Sequence, residues 1–250
     1  MTSARVAWVV PCFEEASRLD DDAFLLLADR CAPASLIFVD DGSRDGTLAR
    51  LHALAERRRQ AIEVLSLPTN QGKAEAVRQG LQKALAGRAD ILGYVDADLA
   101  TPPGELARLA QLMRDGDPDI LLGSRVQLLG RQIRRNHARH YVGRIFATCA
   151  SIALGLPVYD TQCGAKLFRP TAALRGALAE PFTSRWAFDV ELLGRLLRPR
   201  AGLAPVDPSR IREEPLLVWT DVPGSKLHPW AALWGGLDLL RLGIKYHRGH

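Results

Sequence analysis

Several features that define common protein classes are missing from this 250-residue sequence. The four cysteines, Cys12, Cys31, Cys149 and Cys163, form no CxxC pair, and no His/Cys cluster has the spacing of a zinc site. No window holds the roughly 20 apolar residues that a transmembrane helix needs, and the apolar stretch at the N-terminus is too short for a signal peptide. We therefore expect a reduced, cytoplasmic chain that contacts a membrane only at its surface.

Two glycine-rich phosphate-binding patterns are also missing. There is no GxxxxGK[ST] and no GxGxxG, which speaks against a P-loop enzyme and a nicotinamide-dependent one. The net charge of +5 and the pI near 9.3 would suit nucleic acid, anionic lipid or a phosphorylated substrate. Aromatic residues make up only 6% of the chain, and the basic cluster at 125–144 contains a single one, Tyr141, instead of the interleaved aromatics used for base stacking. We expect no nucleic-acid partner.

Apolar runs alternate with amphipathic segments through the first half of the chain. Continuously apolar strands predict a mostly parallel sheet covered by helices on both faces, and the strand-helix alternation predicts a doubly wound α/β fold. We expect one domain over 1–250, in which 1–125 bind a nucleotide. The predicted strands are RVAWVV, LIFVDD, IEVLSL, ILGYVDAD and DILLGSR, and the helices between them are SRLDDDAFLLLADR, GTLARLHALAERRRQ, KAEAVRQGLQKALAG and PPGELARLAQLMRDG.

The second half, 126–250, is less regular. The stretch 141–158 is apolar but too short to span a bilayer, AFDVELLGRLLRP reads as a helix, and EEPLLVW reads as a strand. The C-terminal tail is amphipathic, which fits either an interfacial membrane helix or an ordinary helix packed on the sheet. Its apolar positions at helical spacing are Trp230, Leu233, Trp234, Leu237, Leu240 and Ile244.

Carboxylates follow two of the predicted strands. Asp40 and Asp41 end one strand, and Asp96 and Asp98 end another. In doubly wound sheets ligands bind beyond the carboxyl ends of the strands, and a magnesium ion commonly takes one or two carboxylates together with substrate phosphates. Helix capping is the alternative role for acids in such turns. Lys73 stands at the N-terminus of a predicted helix, where its positive charge is unfavourable to the helix dipole. A diphosphate bound at that point would remove the conflict. The alternative is a solvated surface lysine without a ligand.

Seven segments in series carry a family resemblance. VVPCFEE, FVDDGSRDGT, NQGKAEAVRQG, VDADLATPP, GSR, DTQCGAKLF and RWAFDVELL together resemble the family-2 inverting glycosyltransferases of the GT-A fold. Within that family the chain is most similar to the transferases that use polyprenyl or dolichyl phosphate. DTQCGAKLF, RWAFDVELL and VPGSKL resemble the dolichyl-phosphate glucosyltransferase branch, so the resemblance implies glucose, and hence UDP-glucose, as the donor.

The resemblance implies roles for individual residues. Phe13 and Glu14 stand where the family has tyrosine and asparagine, so a tyrosine hydroxyl contact is missing. Asp96 and Asp98 match the acids that bind Mg²⁺ or Mn²⁺, and Ala100 leaves a third protein ligand in doubt. The implied nucleotide-binding residues are Pro11, Phe13, Glu15, Asp40, Asp41, Lys73 and Asp96; those for the acceptor phosphate are Arg125, Arg131 and Arg134, with Arg135 in reserve; and those for the sugar are Gln162, Trp186 and Glu191.

The implied reaction is attack of a lipid phosphate oxygen on the anomeric carbon, with inversion. A phosphate monoester has a second pKa of about 6 and is largely dianionic at neutral pH, so no strong general base is required. The residues assigned to catalysis are Asp98, Arg125, Asp160 and Asp189. Because the lipid remains in the bilayer, the enzyme is expected at the cytoplasmic membrane surface, docked on lipid or on a membrane-protein partner.

Two alternatives remain open from the sequence. A family-2 glycosyltransferase could instead use a glycan or a small molecule as acceptor, since the second half of the chain selects the acceptor and is the harder half to interpret. A non-catalytic subunit that binds a nucleotide sugar is another class, although the intact DxD at Asp96 and Asp98 argues against it.

Overall fold

The computed structural model describes residues 4–134, 137–222 and 238, with the backbone alone for 137–142. The strands in this part of the chain are β1 (Val6–Cys12), β2 (Ala34–Asp40), β3 (Ile62–Ser66), β4 (Ile91–Tyr94), β5 (Ile120–Ser124), β6 (Gln132–Arg134), β7 (Lys166–Phe168), β8 (Ile211–Pro215) and β9 (Val218–Thr220). The α-helices are α1 (Asp21–Arg30), α2 (Thr47–Arg57), α3 (Lys73–Ala86), α4 (Pro103–Asp115), α5 (His137–Leu154), α6 (Ala172–Leu178) and α7 (Phe188–Leu197).

The main sheet is seven-stranded and mostly parallel. Its strand order is β3-β2-β1-β4-β7-β5-β8, and β7 alone within it runs antiparallel to its neighbours. A second, two-stranded sheet pairs β6 with β9 in parallel. The predicted α/β fold with a mostly parallel sheet is confirmed.

Both faces of the sheet are covered. Side chains alternate along β1, so Trp8 packs in one apolar cluster and Val9 packs in the other. α3 covers the face of Val9, where a Cβ on Gly80 would lie 2.2 Å from that valine's Cγ1, and α1 and α4 cover the opposite face. Each large apolar side chain buried in this way stabilises the fold by about 1.5–3 kcal/mol.

The predicted strands and helices of the first half are present, with small changes at their ends. β4 ends at Tyr94, so the acids that follow it lie in a turn and not on the strand. The predicted strand EEPLLVW is wrong as a single element, because it contributes to β8 and β9 in two different sheets. β6, β7 and α6 were not predicted; they are short, and β7 has only three residues.

The apolar stretch 141–158 belongs largely to α5. Ala147, Ala150 and Ala153 of this helix are buried, whereas Ile145 and Ile152 are exposed. None of the described helices combines the length and the apolar character needed to cross a bilayer. The predicted amphipathic helix of the tail lies outside the described residues, apart from Asp238, whose carboxylate accepts a hydrogen bond from Ser184 Oγ at 2.5 Å.

Candidate active site

The turn after β4 places two acids at the carboxyl edge of the sheet. Asp98 Oδ1 accepts the Ala100 N–H at 3.1 Å, and Leu99 adopts a positive φ of 48° inside the turn. Gly164, in the loop before β7, packs against the other acid: a Cβ at Gly164 would lie 2.1 Å from Asp96 Oδ2. Only glycine therefore lets the two segments approach this closely.

Asp96 and Asp98 have opposite electrostatic environments. Burial alone would raise the pKa of Asp96, but the ion pair with Lys73 and the charges of Lys166 and Arg125 together hold that pKa below the usual range. Burial and the neighbouring charge of Asp96 raise the pKa of Asp98. A divalent cation between the two carboxylates would relieve this repulsion. Among the described residues no group of three or more acids, histidines or cysteines is arranged to hold a metal ion.

Lys73 reaches Asp96 because its loop is tightly held. Both oxygens of the Asp41 carboxylate accept backbone N–H groups at 2.7 Å, those of Gln71 and Gly72. Gly72 has a φ of +96°, a conformation that favours glycine, and it directly precedes α3. Its two bonds fix the loop that presents Lys73, and the predicted contact of Asp41 with the nucleotide stays a prediction.

The predicted nucleotide residues gather at the ends of β1 and β2. Asp40 is buried, its Oδ2 accepts the Ser43 N–H at 3.3 Å, and its Oδ1 has no partner among the described residues. An unpartnered buried carboxylate oxygen is costly unless a ligand satisfies it. Pro11 lies in β1 opposite Val39, and Phe13 follows that strand.

Glu15 forms a two-pronged ion pair with Arg18. Arg18 Nε donates to Glu15 Oε2 at 3.0 Å, and its Nη2 lies 2.6 Å from Oε1. The charge of Arg18 also acts on Asp98, tending to lower that acid's pKa. Glu15 therefore places a cation near the acidic turn, and its predicted contact with the nucleotide stays a prediction.

A buried lysine links the sheet to α7. Lys166 is only 1% exposed, and its Nζ lies 2.8 Å from Asp189 Oδ1 and 2.5 Å from the Cys163 carbonyl oxygen. The Tyr94 hydroxyl donates to the same Asp189 oxygen. Asp189 Oδ1 is thus held by two donors, one from β4 and one from β7, which fixes the N-terminus of α7 beside the acidic turn.

Arg125 and Asp160 form a second ion pair at the site. The guanidinium donates from Nε to Asp160 Oδ2 at 2.6 Å and from Nη2 to Oδ1 at 2.8 Å. Asp160 in turn is positioned by Glu213, which accepts its backbone N–H at 2.7 Å. The Trp219 ring stacks under the guanidinium, 5.4 Å from its centroid. Burial would lower the pKa of Arg125, but the charge and hydrogen bonds of Asp160, together with the more distant charge of Asp96, raise that pKa overall.

The remaining predicted residues lie around this centre at differing depths. Gln162 is exposed and adjoins Asp160, whose carboxylate accepts its backbone N–H at 3.2 Å, and Trp186 is partly exposed just before α7. Arg131 and Arg134 lie before and at the end of β6, and Arg134 is exposed. Their roles stay predictions.

Glu191 lies in a buried hydrogen-bond network at the start of α7. Its carboxylate is fully buried and accepts bonds from the Thr183 N–H at 2.8 Å, the Ser184 N–H at 2.9 Å and Arg195 at 2.7 Å. Burial would raise the pKa of Glu191, but these donors outweigh it and lower that pKa. These bonds hold residues 183 and 184 against α7, and the predicted contact of Glu191 with the sugar stays a prediction.

Sequence reasoning missed four residues at the site: Arg18, Gly164, Lys166 and Trp219. Lys166 had the most visible signal, since the segment CGAKLF places one lysine inside an otherwise apolar run. A charged side chain there must find an acid when it is buried. Nothing in the sequence around Trp219 pointed to the site, because the division of EEPLLVW between two sheets depends on contacts with distant parts of the chain.

A family model matches the part of the chain that forms most of this sheet and the acidic turn. The model of glycosyl transferase family 2 matches residues 7–175, and the chain belongs to that family. The predicted family is confirmed, and the protein is a glycosyltransferase with a GT-A fold.

Curated relatives cover nearly the whole chain. It is 31% identical over 267 residues to a dolichyl-phosphate beta-glucosyltransferase of Drosophila melanogaster, covering 98% of this chain and 76% of the relative. The enzyme of the same description from Homo sapiens is 32% identical over 257 residues, covering 96% and 75%. Among solved structures, glucosyl-3-phosphoglycerate synthase of Mycobacterium tuberculosis with Mn²⁺, UDP-glucose and phosphoglyceric acid superposes with a TM-score of 0.64. That pair shares 18% identity over 97% of this chain and 80% of the other, which is a likeness of fold.

Proposed function

We propose that this protein transfers glucose from UDP-glucose to a polyprenyl or dolichyl phosphate, with inversion at the anomeric carbon. The observation that carries the proposal is the meeting of the Asp96–Asp98 turn with three cations, those of Lys73, Lys166 and Arg125, at one edge of the sheet. A site of two acids and several cations suits a reaction between two phosphorylated molecules. The names of the curated relatives support a lipid phosphate as the acceptor.

The donor would lie over the ends of β1, β2 and β4. The unpartnered Oδ1 of Asp40 would accept a hydrogen bond from the base or the ribose, beside Pro11 and Phe13. Asp96 and Asp98 would hold Mg²⁺ or Mn²⁺, which supplies positive charge to the leaving diphosphate. Lys73 would then leave Asp96 and donate to a diphosphate oxygen at the start of α3.

The acceptor would enter from the side of residues 126–250. Arg125 has a planar guanidinium suited to phosphate, and Asp160 and Trp219 fix its orientation. Arg131 and Arg134 would extend this positive surface. The lipid phosphate is the nucleophile, so Asp160 and Asp189 serve to orient groups and need not remove a proton. Residues 1–125 would thus serve the donor and 126–250 the acceptor.

A lipid acceptor also sets where the enzyme works. Moving a polyprenyl chain from the bilayer into water costs about 0.8 kcal/mol per CH₂, so the transferase must come to the bilayer. We therefore place the protein at the cytoplasmic membrane surface, where UDP-glucose would be available, with contacts to lipid or to a membrane-protein partner.

A partition assay tests the proposal. The protein is incubated with radiolabelled UDP-glucose, Mn²⁺ and a polyprenyl phosphate, and the label is followed into the organic phase. The proposal predicts lipid-borne label that requires the acceptor and the metal, with GDP-mannose giving much less. Label that appears only in water-soluble glycan or small-molecule product would replace the lipid acceptor with the alternative. Nucleotide-sugar binding without any transfer would favour a non-catalytic subunit.

A further inference from the structure

A turn just after Arg125 carries two successive exposed leucines. The Arg131 N–H donates to the Leu128 carbonyl at 3.1 Å and closes the turn. Leu128 is 48% exposed and Leu129 is fully exposed. Gly130 has a φ of +80°, and a Cβ placed on it would meet no atom of the described chain within 4 Å. The turn therefore projects outward from the described structure.

A third exposed leucine lies beside this turn. Leu217, between β8 and β9, is 36% exposed, and its carbonyl accepts the Gln132 N–H at 2.8 Å. This bond brings the β8–β9 junction next to the residue that follows the turn. We call Leu128, Leu129 and Leu217 the leucine patch. Single exposed leucines are common on protein surfaces, whereas a pair at the tip of a turn with a third beside it is an uncommon arrangement.

Positive charge flanks the patch on the side of the turn, while on the side of Leu217 the buried Glu105 carboxylate accepts the Leu217 N–H at 2.9 Å and is paired with Arg108. The segment 125–134, RVQLLGRQIR, contains three arginines and no acid. Arg131 ends the turn and Arg134 is exposed at the end of β6. Apolar side chains at a tip with arginines around them match the boundary of an anionic bilayer, where lipid phosphates meet acyl chains.

The patch is also firmly connected to the site. Two residues separate Arg125 from Leu128, so their Cα atoms are at most about 10 Å apart. On the other side, Trp219 of β9 packs against the Arg125 guanidinium, and the Thr220 N–H donates to the Ala100 carbonyl at 3.0 Å. A membrane bound at the patch would therefore lie close to Arg125 and to the acidic turn.

We propose that the leucine patch inserts into the headgroup region of an anionic bilayer and docks the acceptor side of the site on it. The proposal rests on the proposed lipid acceptor for its biological purpose, but the binding it describes is measurable without any acceptor. The surrounding arginines contact lipid phosphates, and the leucines enter the acyl boundary.

Vesicle sedimentation tests this docking. Wild type, the double variant Leu128→Glu/Leu129→Glu, the milder Leu129→Ser and a control Leu26→Glu are each mixed with vesicles that contain no prenyl phosphate. Leu26 is a matched control, since it is 44% exposed on α1 and away from the patch. One vesicle set is phosphatidylcholine with phosphatidylglycerol, and the other is phosphatidylcholine alone. Melting temperatures are measured for all proteins.

The proposal predicts that wild type and Leu26→Glu bind the anionic vesicles and that added salt weakens this binding. The double variant should partition on the order of tenfold more weakly or worse, and Leu129→Ser should be weakened while melting like wild type. Undiminished binding of a folded Leu129→Ser and double variant would overturn the proposal. So would a large drop in the melting temperature of Leu129→Ser, because it would mean that another part of the chain covers the patch.

A transfer assay separates this proposal from the proposed function. The double variant should lose transfer to a long-chain prenyl phosphate embedded in vesicles and keep transfer to a short-chain one dispersed in detergent. Equal loss with both acceptors would contradict a docking role. If wild type transfers to neither acceptor, the proposed function fails, and the sedimentation result still decides whether the patch binds lipid.

Discussion

Lys73 forms an ion pair with Asp96, the first acid of the turn that we assign to the divalent cation. The ammonium group thus occupies one oxygen of a carboxylate that, in the proposed function, would bind metal together with the donor. This pairing is also the largest of the cationic contributions that lower the pKa of the partly buried Asp96. The diphosphate of the donor would offer Lys73 a new partner, so metal and nucleotide would be expected to bind together.

Replacing Lys73 should change metal and nucleotide binding in opposite directions. Lys73→Met removes the competitor for Asp96, so Mn²⁺ should bind the nucleotide-free protein more tightly, by roughly threefold to tenfold. The same variant should bind UDP more weakly in the presence of Mn²⁺. Calorimetric titration with Mn²⁺ and then UDP measures both affinities. Lys83→Met is a suitable control, since Lys83 lies further along α3 and pairs with Glu63 of β3. Weaker Mn²⁺ binding by Lys73→Met would contradict the competition between Lys73 and the metal for Asp96.

Breaking the Lys166–Asp189 pair should destabilise the fold strongly. Lys166→Met leaves a buried carboxylate without its cation, which typically costs about 3–5 kcal/mol of unfolding free energy. The double variant Lys166→Met/Asp189→Asn removes the charge mismatch and should recover part of that loss. Urea denaturation of the wild type, both single variants and the double variant gives the coupling energy. Losses that simply add would show that the two side chains do not interact.

Replacing Arg125 should raise the KM for the acceptor more than the KM for the donor. Arg125→Ala is expected to raise the KM for prenyl phosphate by about tenfold to a hundredfold, because a charged hydrogen bond to phosphate is worth roughly 1.5–3 kcal/mol. The KM for UDP-glucose should change little. Arg210→Ala serves as a control for loss of an ion-paired arginine away from the site, since Arg210 pairs with Asp117 and Asp119 before β5, at the opposite edge of the sheet. If Arg125→Ala raised only the KM for UDP-glucose, the assignment of Arg125 to the acceptor phosphate would be contradicted.

The Glu191 network should make stability depend on acid. The pKa of Glu191 is lowered in the fold from an ordinary value of 4.5, so its contribution is fully present above that value and is lost as pH falls below it. Glu191→Gln should therefore reduce the unfolding free energy near neutral pH, by about 1–3 kcal/mol. The difference in unfolding free energy between wild type and Glu191→Gln should become smaller as pH drops below 4.5. Denaturation curves across this pH range measure the gap, and a constant gap would contradict the assignment.

The sequence was sufficient to predict the parallel core and the acidic turns. The strands around Trp8 and Phe38 are continuously apolar, and that pattern arises because the helices cover both faces of the sheet. The acids at the ends of β2 and β4 indicated a ligand site, and they lie in segments that resemble the glycosyltransferase family. These features are local in the chain, so a single segment was enough to reveal each of them.

Features that depend on contacts between distant segments could not be predicted. β7 has only three residues and runs antiparallel between β4 and β5, and it brings Lys166 to Asp189. Trp219 packs on Arg125 only because the chain leaves the main sheet after β8. The structural roles of Asp41 and Glu191 likewise depend on backbone groups in other loops, which no spacing rule identifies.

The central claim is that Asp96 and Asp98 bind the cation that receives the diphosphate of the donor. Electron paramagnetic resonance of Mn²⁺, titrated into the protein with UDP present, tests it most directly. Wild type should deplete the free Mn²⁺ signal near stoichiometry, and Asp98→Asn should weaken this binding by at least about tenfold while melting like wild type. Asp98→Asn protein that binds Mn²⁺ and UDP as wild type does would contradict the account.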